Sequence, residues 1–367
     1  MNPTSTMHAG PLMALGGANL DTVASADSAL KRSDSTPGHV RSSPGGVARN
    51  VAENLARLGH AVSLISAVGD DPAGHALLAA TRQAGVDVNA CHVLAGEATA
   101  SCVSMHDSDG SLLAAVNDMQ VLERLTPAVL APHAAAVGAA AVLVLDCNLS
   151  AAALAWAFEQ HGTRLDAAPV FADAVSAPKC LRLRPWLNRL HTVKLNRLEA
   201  HALCGLPTGS PAEVEAAAEW LHTHGVARVV ISVGAQGLYF SARGGNERHA
   251  GDADDTGDTG DAEARPRATR DTNDWDTAAH SGTNTPSQRG WQAALSPPVP
   301  TPVRNTNGAG DALMAGLVHA HVVGLPLAEA ARFAAACAAL TTTTHAANHP
   351  DLSPALVAQW LDSRAAP

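Results

Sequence analysis

Asn305-Thr306-Asn307-Gly308-Ala309-Gly310-Asp311 is the stretch whose residue types and spacing most directly suggest chemistry. Small residues at 308 to 310 let the backbone approach an anion closely, and the apolar run that follows, Ala312 to Val323, predicts a helix whose first free N–H groups point at that anion. Asp311 stands one residue beyond this nest. A carboxylate there lies beside any bound phosphate and suits a base that takes a proton from an attacking hydroxyl. The plainer reading is a helix start with small residues for packing and a favourable acidic first turn.

Other polar groups can meet the same place. Asn19 and Asp21 follow Leu12 to Ala18, an apolar run ending in glycines. Side chains alternating past a strand end share one crevice and can bind a polyol, although a capped turn is the plainer account of this pair alone. Gly45-Gly46 open a helical stripe of Val47, Val51, Leu55 and Leu58 that Gly59 closes, and Asn50 lies one turn in, within reach of a ligand at the helix start. Asp146, Asp173 and Asn196 each end a strand-like run, the edge where open α/β sheets bind ligands. Ser232, Gly234 and Gly237 form a strand end and glycine turn that reads as a hairpin or as a nucleotide contact.

The elements that must position these groups alternate. Strand-like runs are Ala61 to Val68, Ala141 to Leu145, Pro169 to Ala172, His191 to Leu195 and Val229 to Val233. Helical ones are Pro72 to Ala84, Ala151 to Gln160, Arg197 to Cys204, Pro211 to His224, Leu327 to Thr342 and Pro354 to Leu361. Repeated βα units predict an α/β fold with a mainly parallel sheet covered by helices on both faces. Consecutive strands at Cys91 to Leu94, Ala100 to His106 and Leu112 to Val116 predict a small β lid. One domain is expected over 12–361, with a lid from about 21–42 and 90–118, terminal tails at 1–11 and 362–367, and a disordered acidic insertion at 244–296, whose Asp, Thr, Gly and Ser lack aliphatic periodicity.

In 367 residues, 34 acidic against 24 basic side chains give a net charge of −10, which argues against nucleic acid or an anionic membrane as partner. The six cysteines lack a C-x-x-C pair and read as reduced core thiols, and the 18 histidines lack zinc spacing. No apolar run reaches the roughly 20 residues of a membrane span, and the N-terminus lacks a leader pattern, so cytoplasm is the expected location.

Gly45-Gly46-x-x-x-Asn50, Asn196-x-x-Glu199 and Asn305-Thr306-x-Gly308-Ala309-Gly310-Asp311, in this order and separation, resemble the signatures of the ribokinase-like (PfkB-type) carbohydrate and nucleoside kinases. The likeness covers Leu12 to Leu361 apart from the insertion. Finer blocks, including Val116-Asn117-Asp118-Met119, Asp146-Cys147-Asn148 and Asp173-x-Val175-Ser176-Ala177-x-Lys179-Cys180, resemble the pseudouridine kinases within it. The family pattern implies a three-layer α/β/α sandwich and ATP-dependent transfer of phosphate to a ribose 5′-hydroxyl.

By resemblance, Asp311 is the base, and the N–H groups of Gly308, Ala309 and Gly310 hold charge on the transferred phosphoryl group. Asn19, Asp21, Gly45, Gly46 and Asn50 fix the ribose, and Ser35, Thr99, Asn117 and Lys179 are candidates for the uracil; for Lys179 a solvated surface charge is the other reading. Asn196 and Glu199 organise Mg²⁺ through water, Glu199 being the metal residue. Ser232, Gly234, Gly237, Asn307 and Asn348 line the ATP side. K⁺ is a further cofactor of the pattern, and a homodimer through the lid is allowed by analogy. Asn305, where relatives often carry Asp, and Asn307, where many carry Thr, depart from the pattern and bear on nucleotide and monovalent-cation affinity. A ribokinase, another sugar or nucleoside kinase, and a ligand-binding regulator that has lost turnover are the competing readings; no G-x-G-x-x-G follows the first strand to support a dehydrogenase.

Overall fold

Short runs of Val, Leu, Ile and Ala build the centre of the computed structural model, which describes residues 10–31, 33–162, 168–243, 285–286, 291–296 and 301–365. Parallel strands lie in the order β4 (Val62–Ile65), β1 (Leu12–Leu15), β9 (Val142–Asp146), β10 (Val170–Asp173), β11 (Thr192–Asn196) and β12 (Arg228–Ser232). Antiparallel β13 (Leu238–Arg243), β15 (Trp291–Ser296) and β14 (Thr285–Pro286) extend the far edge.

Because side chains alternate along a strand, each buried strand feeds both layers. Leu143 and Leu145 of β9 join one apolar cluster, while Val142 and Val144 join the other. The first cluster takes in α3 (Ala151–Gln160), α4 (Arg197–Cys204) and α5 (Pro211–Thr223). On the opposite face the second cluster gathers α1 (Val47–Arg57), α2 (Pro72–Gln83), α6 (Ala309–Val322), α7 (Leu327–Thr342) and α8 (Pro354–Ala365). The three-layer α/β/α sandwich expected from the sequence is the observed fold.

A second sheet, in the order β3 (Gly38–Gly45), β2 (Asn19–Ala26), β7 (Ser101–His106) and β8 (Leu112–Asp118), forms the lid. Asn19 and Asp21 thus lie on a strand, not on a capped turn. Four further expectations are corrected. Cys91 to Leu94 does not join the lid: β6 (His92–Leu94) pairs with β5 (Ala67–Gly69). The run Ala61 to Val68 breaks into β4 and β5 at Ser66, whose Oγ donates to the Gly16 carbonyl at 2.7 Å. The range 244–296 ends in regular structure, since β15 pairs with β13 along its whole length; 244–284 lies outside the described residues. Helix α8 also carries the chain on to Ala365, so 362–365 are helical and not a tail.

Candidate active site

Alternation along the strands decides which polar groups meet. On β9, β10 and β11 the apolar neighbours of Asp146, Asp173 and Lys194, namely Leu145, Ala172, Val193 and Leu195, all face the α3 side. Asp146, Asp173 and Lys194 therefore project toward α1 and α6, and they are consecutive in register across the three strands. Both α1 and α6 begin at this edge, so two positive helix ends point at the same ground.

Asp146 ties the edge together. One carboxylate oxygen accepts from the N–H groups of Gly17 and Ala48, both at 2.8 Å, and the other from the Asn148 N–H at 2.8 Å. Burial pushes its carboxyl up to about 6, against those three bonds, which favour the charge. Asp146→Ala strands buried donors from three separate segments and is expected to lower the unfolding free energy by about 3 kcal/mol, read by urea denaturation.

Where the lid meets β1, Asn19 Nδ2 donates to Asp21 Oδ1 at 2.6 Å, with Gly45 beside them; a Cβ on Gly45 would lie 2.2 Å from the Asp21 carboxylate. Gly46 precedes α1 at φ 97°, where a Cβ would meet the backbone of Gly17 and Ala18 at 2.5 Å. Asn50 Nδ2 donates to Asp311 Oδ2 at 2.7 Å. The sense of that amide is set by Arg49, whose guanidinium donates to Asn50 Oδ1, to Glu53 Oε2 at 2.5 Å and to the carbonyls of Gly45 and Pro44 at 2.8 and 3.2 Å. Arg49 thus clamps the glycine loop and aims Asn50 at Asp311.

The four uracil candidates fare differently. Asn117 shares a lid row with Asp21 through Cys102, so it faces the same way as Asp21. Lys179 Nζ donates to Asn148 Oδ1 at 2.7 Å, and the Asn148 amide in turn packs against Gly17 at the end of β1. Thr99 is spent on the fold: its hydroxyl donates to Asp71 Oδ1 at 2.6 Å and accepts from the Gly69 N–H at 3.0 Å, fastening the start of α2. Ser35 is exposed in the turn between β2 and β3, and its one hydrogen bond among the described residues is from its N–H to Asp34.

In the cradle, Gly308 caps α6 at φ 77°, and a Cβ there would lie 1.8 Å from the Ala347 carbonyl oxygen. The Asn307 N–H donates to Asn305 Oδ1 at 2.9 Å, and Asn305 Nδ2 reaches the carbonyls of His345 and Ala346 at 3.3 and 3.5 Å. Asp311 is buried. Loss of solvent, and next the charge of Asp173, raise its carboxyl to about 7, although Lys194 and the Asn50 bond pull the other way.

Asn196 and Glu199 form a reciprocal capping box at the start of α4: Glu199 N–H donates to Asn196 Oδ1 at 2.9 Å, and Asn196 N–H to Glu199 Oε2 at 2.8 Å. Among the described residues no three His, Cys, Asp or Glu side chains could cage a metal. One carboxylate, Glu199, beside one amide, Asn196, fits a hydrated Mg²⁺ held mostly by phosphate oxygens and water. Ser232 neighbours Asn196 in register, and Gly234 and Gly237 shape the turn into β13 at φ 65° and 100°. Asn348 follows Ala347, whose carbonyl abuts Gly308 of the cradle, and its Oδ1 accepts from Asn54 Nδ2 of α1 at 3.0 Å.

Sequence reasoning gave Arg49 and Asn148 no role of their own and passed over Lys194. Lys194 was detectable as a charged residue between Val193 and Leu195 in the strand Thr192–Asn196, two positions before Asn196 and so on its face of the sheet.

Residues 11–262 and 290–354 match the profile of the pfkB family carbohydrate kinase. Over 349 residues, 95% of this chain and 96% of the other, the sequence is 38% identical to a pseudouridine kinase of Escherichia coli K12. It is 34% identical to an uncharacterized sugar kinase, YeiI, of the same bacterium, over 92% of this chain and 80% of that one. Among solved structures, an Arabidopsis thaliana ribokinase complexed with ribose and ATP superimposes with a TM-score of 0.72 over 96% of this chain and 99% of that one, at 19% identity.

Proposed function

The chain belongs to the pfkB family of carbohydrate kinases and is a phosphotransferase; from that premise we propose that it transfers the γ-phosphoryl group of ATP to the ribose 5′-hydroxyl of pseudouridine. The observation that carries the chemistry is a buried Asp311, oriented by Asn50, at the start of a helix whose preceding residues are glycine and alanine. Asp311 takes the 5′-hydroxyl proton as that oxygen bonds to the γ-phosphorus, and the bond to the bridging oxygen of ADP breaks. The N–H groups of Gly308, Ala309 and Gly310 receive the charge that builds on the phosphoryl oxygens. Asn19, Asp21 and the Gly45-Gly46 backbone orient the ribose, and lid closure excludes water. Ser232, Gly234, Gly237 and Asn307 border the nucleotide, while the packing of Asn348 on α1 argues for a supporting part. When bound, Mg²⁺ neutralises charge on the phosphate oxygens; Asn196 and Glu199 would hold its waters. At the Asn305 loop the residues do not fit K⁺ well, because an amide donor already engages the carbonyls of His345 and Ala346.

For the base, the support is the similarity to a pseudouridine kinase together with the pocket chemistry. Pseudouridine has one ring N–H more than uridine, and that donor needs an acceptor. Lys179 can only donate, which suits the uracil carbonyls, whereas the Asn117 amide oxygen can accept. Asn117→Leu is expected to reduce kcat/KM for pseudouridine by about 10- to 100-fold while changing that for uridine far less. Equal losses on both nucleosides would remove Asn117 from base recognition. The similarity to a sugar kinase at 34% identity keeps a simple sugar as the second reading.

No helix among the described residues is long and apolar enough to cross a membrane, and we take the cytoplasm as the place of action. The lid face opposite Asp21 exposes Val40, Val103, Met105 and Val116, which supports a homodimer through that face.

A further inference from the structure

Lys194 carries a charge that the proposed mechanism leaves without a task. Its ammonium reaches from β11 to the middle of the cradle: a Cβ on Gly310 would lie 2.7 Å from Nζ. Asp173 Oδ2 accepts one of its N–H groups at 2.7 Å, while Asp173 Oδ1 accepts from the Val175 N–H at 2.9 Å. An ammonium has three donors, so two others remain for what occupies the cradle. Burial alone would drive the proton off Lys194, but the charges of Asp173 and Asp311 and the bond to Asp173 more than offset it, so the side chain stays cationic.

We propose that Lys194 is a catalytic residue whose ammonium, held by Asp173 beneath Gly310, donates to the transferred phosphoryl group as it passes from ATP to the acceptor and remains in contact with the phosphate of the product. This rests on the kinase reading and deepens it. The geometry also explains glycine at 310 in a new way, because the space of its missing side chain is filled by Lys194. A salt bridge serving only the fold would need Lys194 to touch Asp173 and nothing of the cradle; here the ammonium is pressed against the first turn of α6, where the backbone donors converge. Removing a single preorganised donor to a developing oxyanion commonly costs about 10²–10³-fold in kcat.

The test compares wild type, Lys194→Met and the double variant Asp173→Asn/Lys194→Met. The double variant removes the Asp173 carboxylate together with its ammonium partner and leaves Asp311 its bond from Asn50, so it is expected to fold even where the single variant does not, which thermal melting checks. Wild-type turnover is measured first over an acceptor panel with ATP and Mg²⁺. Nucleoside affinity and 5′-phosphate affinity are then measured by calorimetry without ATP. Both variants are expected to lose about 10²–10³-fold in kcat and to bind the nucleoside nearly as wild type does, while binding its 5′-phosphate at least about tenfold more weakly. Recovery of wild-type kcat and 5′-phosphate affinity in the double variant would overturn the proposal, leaving Lys194 as a counter-charge for Asp173. A wild type that phosphorylates no acceptor would overturn the kinase reading itself, an outcome visible before any variant is compared.

Discussion

Asp311→Asn lowers kcat by about 10²–10⁴-fold and leaves nucleoside binding close to that of the wild type, because the amide keeps the shape and can still accept from Asn50 while it cannot take a proton. The pH profile separates this from a general loss of order. Burial and the neighbouring Asp173 hold the Asp311 carboxyl at about 7, so wild-type kcat/KM falls about tenfold for each pH unit below that value. The residual rate of the variant lacks this limb. Stability moves the other way. A carboxyl raised above its ordinary range favours the folded state while it is protonated; that contribution is complete below the unfolded value and is lost as pH rises through about 7. The variant should therefore melt above the wild type at pH 8, with the difference closing toward pH 4. A wild-type profile flat through neutral pH, or an Asp311→Asn enzyme of undiminished kcat, contradicts the assignment.

Gly308→Ala is the second large effect. The residue lies at φ 77°, and an added Cβ would sit 1.8 Å from the Ala347 carbonyl oxygen and 2.6 Å from its carbon. Neither atom belongs to a flexible side chain, so the backbone must move. A displacement of about 1 Å in a reacting geometry costs roughly 10²-fold in rate, and kcat should fall by at least that much together with a lower melting temperature. Gly59→Ala is the control. It too has positive φ, 91°, but nothing lies within 4 Å of its Cβ position, so it carries the conformational strain alone. Wild-type kcat is expected there. If the two substitutions act alike, close approach in the cradle is not what matters at 308.

Local features were legible in the sequence. The helix start at Gly308 to Asp311, the α1 stripe closed by Gly59 and the helix from Arg197 to Cys204 depend on neighbours in the chain, which a sequence displays directly. What escaped is set by partners far apart in sequence. Asp146 was placed at a strand end, but its bonds to residues 17 and 48 arise only when three segments meet. The segment 21–42 was expected in the lid, but its two strands, β2 and β3, were not read, because they carry little apolar alternation and are held by pairing with each other and with β7. Thr99 read as a pocket residue because its type fits, yet its hydroxyl proton goes to Asp71 and one lone pair to the Gly69 N–H. Lys194 looked like part of a strand until the sheet set it under Gly310.

The most direct test is a one-pot competition in which wild-type enzyme, ATP and Mg²⁺ are offered equal concentrations of pseudouridine, uridine, adenosine and ribose, and the products are resolved by mass spectrometry and phosphorus NMR. The account predicts pseudouridine 5′-phosphate as the dominant early product, with phosphate on the 5′-oxygen. Ribose phosphate as the dominant product, or phosphate on another hydroxyl, would contradict it.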